Sequence, residues 1–184
     1  MVLSSAIYQY PLWLYHYLMS KRTTQTSVTN LLRFQDKYLF VKRASNKTVD
    51  ANRLNGIGGK TEPGEDFLTC AIRETKEETG YEVTPKDCKF LGIVELKGGY
   101  AQDWVACFFE IEVSTMEIPL GVNPDEGQFM WLTLEEALSS GLELVDDLHY
   151  NLPYIEQEKT PFFMSAILND QEKIAQYLLT SLSP

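Results

Sequence analysis

The sequence is short of basic residues, so one broad class of partner is excluded at the outset. Lys and Arg number 16 against 26 Asp and Glu in 184 residues, which gives a formal net charge of −10 at pH 7. Non-specific binding of a nucleic acid polymer needs a basic surface, and we expect no such partner. An anionic small substrate stays open, because a bound divalent metal ion reverses the sign of the local field.

Cysteine is also scarce. The three thiols, Cys70, Cys88 and Cys107, are an odd number and include no Cys-x-x-Cys pair. This usage excludes a disulfide framework and a zinc site built on paired cysteines, and it is typical of a reducing compartment. We therefore expect buried apolar thiols and a cytoplasmic protein.

The first twenty residues, MVLSSAIYQYPLWLYHYLMS, lack Lys, Arg, Asp and Glu. A secretory signal would place positive charge before its apolar run and a small-residue cleavage site after it, and neither is present. The stretch is also short for a transmembrane span, and Pro11 and several polar side chains interrupt it. Three interpretations stay open: an aromatic helix packed on the domain or on a second subunit, an interfacial anchor, or an extension ahead of a start at Met19. The segment 1–26 is thus predicted as an N-terminal extension through which a homodimer can form.

The remaining residues, 27–184, contain no internal repeat and no low-complexity linker, so a single domain is predicted. Short apolar runs bounded by turn residues predict six strands, at residues 27–34, 37–43, 89–96, 103–113, 129–132 and 160–167. Helices are predicted from about Glu65 to Thr79, at 133–138 behind a capping box of Thr133 and Glu136, and at 170–182 as a closing helix. Strands and helices alternate irregularly, which favours a mixed α/β sandwich over a doubly wound sheet.

Three glutamates crowd the end of the first predicted helix. Glu77 and Glu78 follow Glu74 by three and four residues, so the three carboxylates share one helical face. Like charges at this spacing destabilise a helix, and glutamates near its C-terminus oppose the helix dipole. A bound cation compensates both effects, and carboxylate oxygens suit Mg²⁺ or Mn²⁺. Another face is predicted to pack on the sheet through Leu68, Ile72, Thr75 and Thr79.

A glycine-rich loop, NGIGGK, precedes this helix. Gly56, Gly58 and Gly59 permit tight turns and close approach of a ligand, and the Gly59 carbonyl is a candidate metal ligand. The loop lacks the Gly-Lys-Ser/Thr of a Walker loop, and no Gly-x-Gly-x-x-Gly opens a helix after a strand. The loop and the acidic helix together indicate a metal site that binds phosphate.

The spacing of these residues resembles the Nudix box, GX5EX7REUXEEXGU, in which U is an aliphatic residue. Every fixed position matches, namely Gly59, Glu65, Arg73, Glu74, Glu77, Glu78 and Gly80. Thr75 and Tyr81 depart from the pattern, but at U positions that serve packing. The resemblance implies an α/β/α sandwich around a mixed sheet. It also implies hydrolysis, with Mg²⁺ or Mn²⁺, of a diphosphate linkage attached to a nucleoside or another group.

The resemblance further implies roles for individual residues. Glu74, Glu77 and Glu78 would bind the metal near the Gly59 carbonyl, and the metal would lower the pKa of a bound water. Glu77, Glu78 or a carboxylate beyond the box would then take the proton.

Four residues have supporting roles under the same resemblance. Arg73 would orient a glutamate, and Glu65 would be structural or lie outside the metal's immediate ligands. Glu126 is either one more metal-binding or basic carboxylate or an exposed loop residue. Lys42, at a strand end, either contacts phosphate or is simply exposed.

Two segments, RLNGIGGK and LVDDLHYNLPYI, resemble the base-holding segments of MutT-related oxidised-purine nucleoside triphosphatases. That resemblance covers roughly residues 29–182 and implies hydrogen bonds from Asn55, Asp146 and Asp147 to a purine. Adjacent aspartates are also ordinary at a helix start.

The base-holding segments depart from that branch at two positions. Tryptophans in the branch are replaced here by Leu54 and Leu144, so stacking on a base would be lost or come from Tyr150 or Phe129. Trp104 and Trp131 are predicted as core residues.

The leading prediction is hydrolysis of a nucleoside triphosphate to the monophosphate and pyrophosphate, as in 8-oxo-dGTPase-like sanitising of the nucleotide pool. A Nudix pyrophosphatase of ADP-ribose, nucleotide sugars or dinucleotides is the first alternative, because relatives with larger substrates add N-terminal elements. A catalytically silent nucleotide-binding module is the second, and a broken acidic set would favour it.

Overall fold

One mixed sheet of eight strands organises the described residues, 22–46, 50–121 and 127–183, of the computed structural model. The strands are β1 Thr24–Phe34, β2 Lys37–Arg43, β3 Leu54–Asn55, β4 Cys88–Gly98, β5 Asp103–Glu112, β6 Gly127–Leu132, β7 Phe162–Leu168 and β8 Ile174–Ser181. Their order across the sheet is β3-β2-β1-β5-β4-β7-β8, and β6 pairs with β2. Parallel pairing joins β1 to β5 and β4 to β7, whereas the other pairs are antiparallel.

The described part of the chain contains three α-helices, α1 Phe67–Thr79, α2 Leu134–Ser139 and α3 Leu148–Glu156, and a 3₁₀ turn at Pro85–Asp87. The Asp66 side chain accepts a hydrogen bond from the Thr69 N–H and caps the start of α1. Gly80 ends the helix at a φ of 81°, a left-handed conformation without penalty in glycine. The predicted capping box is present in α2.

Buried side chains lie on both faces of the sheet. Alternation along β2 directs Phe40 into a cluster with Phe108 and Phe162 beneath α2 and α3. It directs Leu39 into a second cluster, which includes Cys70 and Ala71 of α1. The result is the mixed-sheet α/β sandwich that the sequence predicts.

The closing helix predicted over residues 170–182 is wrong, because this segment forms β8 at an edge of the sheet. Asn169 closes the β7–β8 hairpin: its N–H donates to the Lys173 carbonyl, and its side chain accepts from the N–H groups of Gln171 and Lys173. A short apolar run is compatible with both the helical and the strand period of hydrophobic residues. Here pairing with β7 makes the segment a strand.

The buried face of α1 also differs from the prediction. Thr75 and Thr79 are buried as expected, but Cys70 and Ala71 are buried in place of the half-buried Leu68 and Ile72. Asn30 of β1 determines which face of α1 turns toward the sheet. Its amide nitrogen donates to the Ala71 carbonyl at 2.9 Å and to Thr75 Oγ1 at 3.1 Å.

The six predicted strands are present, although β1 begins at Thr24, inside the segment 1–26 predicted as an extension. Residues 1–21, with the three interpretations of the aromatic stretch, lie outside the described residues, as does Glu126. All three cysteines are free, with Cys70 and Cys107 buried and Cys88 half-buried. No helix of the described residues is long and apolar enough to cross a membrane.

Replacing Asn30 with Ala tests the link between β1 and α1. The substitution removes two buried hydrogen bonds between β1 and α1, and we expect the free energy of unfolding to fall by about 1–3 kcal/mol. Urea unfolding measures the change, and Gln102→Ala, which removes a side-chain hydrogen bond at the surface, is the control. A loss no larger than the control's would show that Asn30 does not hold α1 in place.

Candidate active site

Arg73, in the middle of α1, contacts three carboxylates, one that precedes the helix and two within it. Its Nε and Nη2 donate to the two oxygens of Glu65 at 2.8 and 2.9 Å, and its Nη1 donates to Glu74 at 2.7 Å and to Glu77 at 3.0 Å. Nη2 also donates to the Lys60 carbonyl at 3.1 Å, which ties the glycine loop to the helix. A guanidinium with paired contacts of this kind fixes the orientation of its partners, as the role predicted for Arg73 requires.

The carboxylates differ in their electrostatics. Hydrogen bonds from Arg73, and then from the Glu62 N–H, lower the pKa of Glu65 to about 2. Burial raises the pKa of Glu74, whose side chain is only 12% exposed, although the hydrogen bond from Arg73 opposes the shift. Glu77 is 59% exposed. The hydrogen bonds of Arg73 therefore outweigh burial at Glu65, whereas burial outweighs them at Glu74, the carboxylate that a further cation would stabilise.

The glycine loop runs antiparallel to β1 and lets α1 approach closely. The Gly59 carbonyl accepts a hydrogen bond from the Val28 N–H at 2.9 Å, so one of its lone pairs is already used. A Cβ on Gly59 would lie 2.5 Å from Glu74 Oε1, and one on Gly58, at a φ of 148°, would lie 2.2 Å from the Val28 carbonyl oxygen. Glycine is therefore required at position 58, whereas a side chain at position 59 would displace the Glu74 carboxylate.

The donor set of this cluster fits a hard divalent cation. Glu74, Glu77 and Glu78 present carboxylate oxygens from one side of α1, the ligand type that Mg²⁺ and Mn²⁺ take. Glu78 faces the loop, where the Gly58 N–H donates to it at 3.4 Å. As the side chains stand, no three acidic, His or Cys groups of residues 22–46, 50–121 and 127–183 converge enough to hold a metal ion. A metal at these oxygens would compete with Arg73 for Glu74 and Glu77.

A cavity of about 400 Å³ opens beside the glycine loop. Gly58 and Gly59 form part of its wall, so it adjoins the carboxylate cluster. The residues that line the rest include Ser27, Arg43, Asp50, Asn55, Lys60, Tyr100, Trp104 and Asp147. The fold therefore joins the acidic helix to two of the three residues predicted to bind a base.

The predicted base-binding residues divide into two groups. Asn55 and Asp147 line the cavity. Asp146 instead accepts a hydrogen bond from the Ile174 N–H at 2.6 Å and pairs with Lys173 at 3.4 Å, so it secures the start of β8. Burial, and then the charge of Asp50, raises the pKa of Asp147 to about 7.

The aromatic wall of the cavity consists of Tyr100 and Trp104, whose ring centroids lie 6.4 Å apart. The Tyr100 hydroxyl donates to Asp50 at 3.2 Å, and Lys60 Nζ lies 5.4 Å from the centroid of the Trp104 ring.

Tyr150 and Phe129, predicted as stacking residues, lie elsewhere. Tyr150 contacts Tyr177, and Phe129 packs in the cluster beneath α1. Leu54 and Leu144 are fully buried, and Trp131 packs as predicted, whereas Trp104 lines the cavity.

The cationic residues of the cavity are Arg43 and Lys60, which sequence reasoning did not select. Lys42, predicted to contact phosphate, is half-buried on β2 and does not line the cavity, whereas its neighbour Arg43 does. Strand alternation is the signal that separates the two, since consecutive side chains point to opposite faces. For Tyr100, the only sequence feature that pointed to the cavity is its position directly after Lys97-Gly98-Gly99 in a predicted hairpin, and it is a weaker one.

Comparison with known proteins gives one matching family. The NUDIX domain matches residues 21–152. The ADP-ribose pyrophosphatase of Bacillus subtilis is 32% identical over 105 residues, 56% of this chain and 55% of that protein. A methanol dehydrogenase activator of Bacillus methanolicus is 32% identical over 93 residues, 50% of this chain and 49% of that protein. The chain spans about half the length of these curated relatives.

Solved structures share the fold. A MutT protein from Bacillus halodurans aligns with a TM-score of 0.69 and 21% identity, covering 84% of this chain and 97% of that one. A bifunctional NMN adenylyltransferase/ADP-ribose pyrophosphatase from Francisella tularensis, solved with AMP and a manganese ion, aligns with a TM-score of 0.56 and 20% identity. The alignment covers 80% of this chain and 46% of that one.

Gly59→Ala tests the close approach of the loop and α1. The added methyl group meets the Glu74 carboxylate, and we expect overpacking to lower the free energy of unfolding by about 1–3 kcal/mol. Gly64→Ala is the comparison, because a Cβ there meets nothing within 4 Å but stands at a φ of 84°, so it reports backbone strain without overpacking. Thermal unfolding measures both variants against the unmodified protein. A Gly59→Ala variant as stable as the unmodified protein would contradict the packing argument.

The buried Asp147 carboxyl predicts a dependence of stability on pH. Its ordinary pKa is 3.8 and its pKa in the folded protein is about 7, so the folded state holds this proton more tightly. The contribution of Asp147 to the free energy of unfolding therefore falls as pH rises from about 4 to about 7. Asp147→Asn should remove this contribution, and denaturant unfolding at a series of pH values measures it. Equal pH profiles for Asp147→Asn and the exposed control Asp170→Asn would refute the prediction.

Proposed function

This chain belongs to the NUDIX family, and from that premise we propose that it is a metal-dependent hydrolase of nucleoside triphosphates that releases the monophosphate and pyrophosphate. The supporting observation is the cavity, which adjoins the acidic end of α1 and is also lined by Asn55 and Asp147. A nucleotide with its base against these two residues can direct its phosphates toward the glycine loop.

Base binding rests on polar groups and aromatic rings. Asn55 Oδ1 accepts a hydrogen bond from the Gly56 N–H at 2.8 Å, which leaves the amide nitrogen to donate to a base. Asp147, with a pKa raised by burial to about 7, can donate or accept a hydrogen bond near neutral pH. Tyr100 and Trp104 offer the stacking surface that Leu54 and Leu144 do not.

Phosphate binding and hydrolysis rest on the charged residues. Lys60 and Arg43 bring positive charge to the cavity wall. A divalent metal bound at Glu74, Glu77 and Glu78, with the Gly59 carbonyl nearby, would supply neutralisation of phosphate charge and a more acidic water. Arg73 holds Glu65 and orients Glu74, and Glu77 is exposed enough to take a proton from water. Glu78 and Glu126 are the alternative bases.

Hydrolysis of ADP-ribose, nucleotide sugars or dinucleotides is the second candidate. It is supported by the Bacillus subtilis relative named as an ADP-ribose pyrophosphatase, although this chain spans only 55% of it. A silent binding module is less favoured, because the acidic set of α1 is complete. The three free thiols suit the reducing cytoplasm that we propose as its location.

Product analysis tests the proposal. The protein is incubated with Mg²⁺, and separately with Mn²⁺, and with ordinary and oxidised nucleoside triphosphates, ADP-ribose, nucleotide sugars and dinucleoside polyphosphates. Monophosphate and pyrophosphate from a triphosphate support the leading proposal. Cleavage confined to the other substrates supports the second candidate, and no cleavage supports the binding module.

Glu77→Gln tests the catalytic cluster. Loss of a carboxylate that binds metal or takes the proton is expected to reduce turnover by roughly 10²–10⁴-fold. Circular dichroism should show an intact fold, because Glu77 is largely exposed. The matched control is Glu82→Gln, an exposed glutamate paired with Lys76 just beyond α1. Turnover of Glu77→Gln equal to that of the control would remove Glu77 from the mechanism.

A further inference from the structure

Four large apolar side chains are exposed on the side of the sheet that carries α1. Leu178 and Leu182 are 70% and 67% exposed, Phe163 is 45% exposed and Phe90 is 38% exposed. Together they are called the apolar face. The three strands that carry Phe90, Phe163 and Leu178 are neighbours, since β4 pairs with β7 and β7 with β8, and Leu182 directly follows β8.

Strand register shows that these side chains share one side of the sheet. Ile93, Phe163 and Thr180 form one row across β4, β7 and β8. Leu178 and Leu182 lie two residues on either side of Thr180 and so point to the same side. The Leu182 N–H donates to the Pro161 carbonyl, which extends the ladder to Leu182.

The apolar face continues the core beneath α1. Ile93 packs against that cluster, and the Phe90 ring lies 6.1 Å from the ring of its member Phe109. Toward β7 and β8 the side chains become exposed, and β8 has no partner strand on its outer side among the described residues. A group of exposed large apolar side chains at a sheet edge is typical of an interaction site.

One segment of the chain has the composition to cover this surface. Residues 1–20 contain no Lys, Arg, Asp or Glu and include four tyrosines and Trp13. A segment without charge can be buried against apolar side chains without leaving a charge unpaired. Glu95, which shares a row with Ser165 and Leu178, already pairs with Lys97 at 3.0 Å.

The distance is within reach of this segment. Arg22 anchors the chain where β1 begins, by donating to the Asp103 side chain and the Tyr100 carbonyl. The row that contains Thr26 crosses Val105, Glu95 and Ser165 and ends at Leu178. These four strand spacings amount to about 19 Å. Twenty residues span about 30 Å as a helix and up to about 66 Å when extended.

We propose that residues 1–20 dock on the apolar face and cover β7 and β8 on the side that α1 leaves open. The docked segment extends the core and protects the sheet edge from pairing with other chains. This interaction is independent of the proposed hydrolase activity.

Trp13 is a built-in reporter for docking. With Trp104→Phe and Trp131→Phe it is the remaining tryptophan, and we expect its emission in this background to be blue-shifted and shielded from acrylamide. Leu178→Glu should shift the emission to that of an exposed indole. The control Tyr177→Glu changes the next residue of β8, which is half-exposed on the opposite face, and should leave the emission unchanged.

A second measurement does not depend on the tryptophan substitutions. Leu178→Cys in the full chain should react with a thiol reagent several-fold faster when Trp13→Glu and Leu14→Glu are added. The unmodified chain gives the background from its three natural thiols, of which only Cys88 is not buried.

Three results would overturn the proposal. The first is a solvent-exposed emission of Trp13 before Leu178 is changed. The second is equal labelling of Leu178→Cys with and without the changes at positions 13 and 14. The third is a dimer, seen by light scattering, that Leu178→Glu dissociates without changing Trp13 emission, because a second copy would then cover the apolar face.

Discussion

The contacts of the Arg73 guanidinium are the interaction on which the candidate site depends. Glu65, Glu74 and Glu77 would repel one another without a cation between them, and Glu77 also lies in the last turn of α1, where the helix dipole disfavours a carboxylate. Arg73 binds all three glutamates and also the Lys60 carbonyl, so α1 and the glycine loop form one unit. The loop closes on this unit because Gly59 leaves room for the Glu74 carboxylate. The same arrangement keeps an acidic, partly desolvated surface next to a substrate-sized cavity.

The cavity brings two chemistries together. Arg43 and Lys60 supply positive charge, and the glycine loop in the same wall adjoins the carboxylate cluster, where we propose that phosphate and metal bind. Asn55, Asp147, Tyr100 and Trp104 supply hydrogen bonds and aromatic surface, as a base requires. The adjacent aspartates 146 and 147 thus have different roles, because the β7–β8 hairpin takes Asp146 for the Ile174 N–H. Of these two adjacent aspartates, only Asp147 lines the cavity in which we propose that a base binds.

The β7–β8 hairpin also explains why one side of the sheet is less covered than the other. A closing helix would have shielded the face beyond α1, whereas a strand widens the sheet and exposes Phe163 and Leu178. The opposite face of the same strands is packed beneath α2 and α3, where Phe162 and Met164 are buried.

The sequence alone determined the features that depend on residues close together in the chain. The box from Gly59 to Gly80, the capping box of α2 and the six strands follow from spacing, turn residues and hydrophobic period. Tertiary structure decided whatever depends on contacts between distant residues. Asn30 rotates α1 by binding Ala71 and Thr75, and pairing with β7 makes residues 174–181 a strand. The β4–β5 hairpin brings Tyr100 and Trp104, and not Tyr150 or Phe129, to the cavity. Local propensity is nearly neutral in these cases, so long-range hydrogen bonds and burial select the outcome.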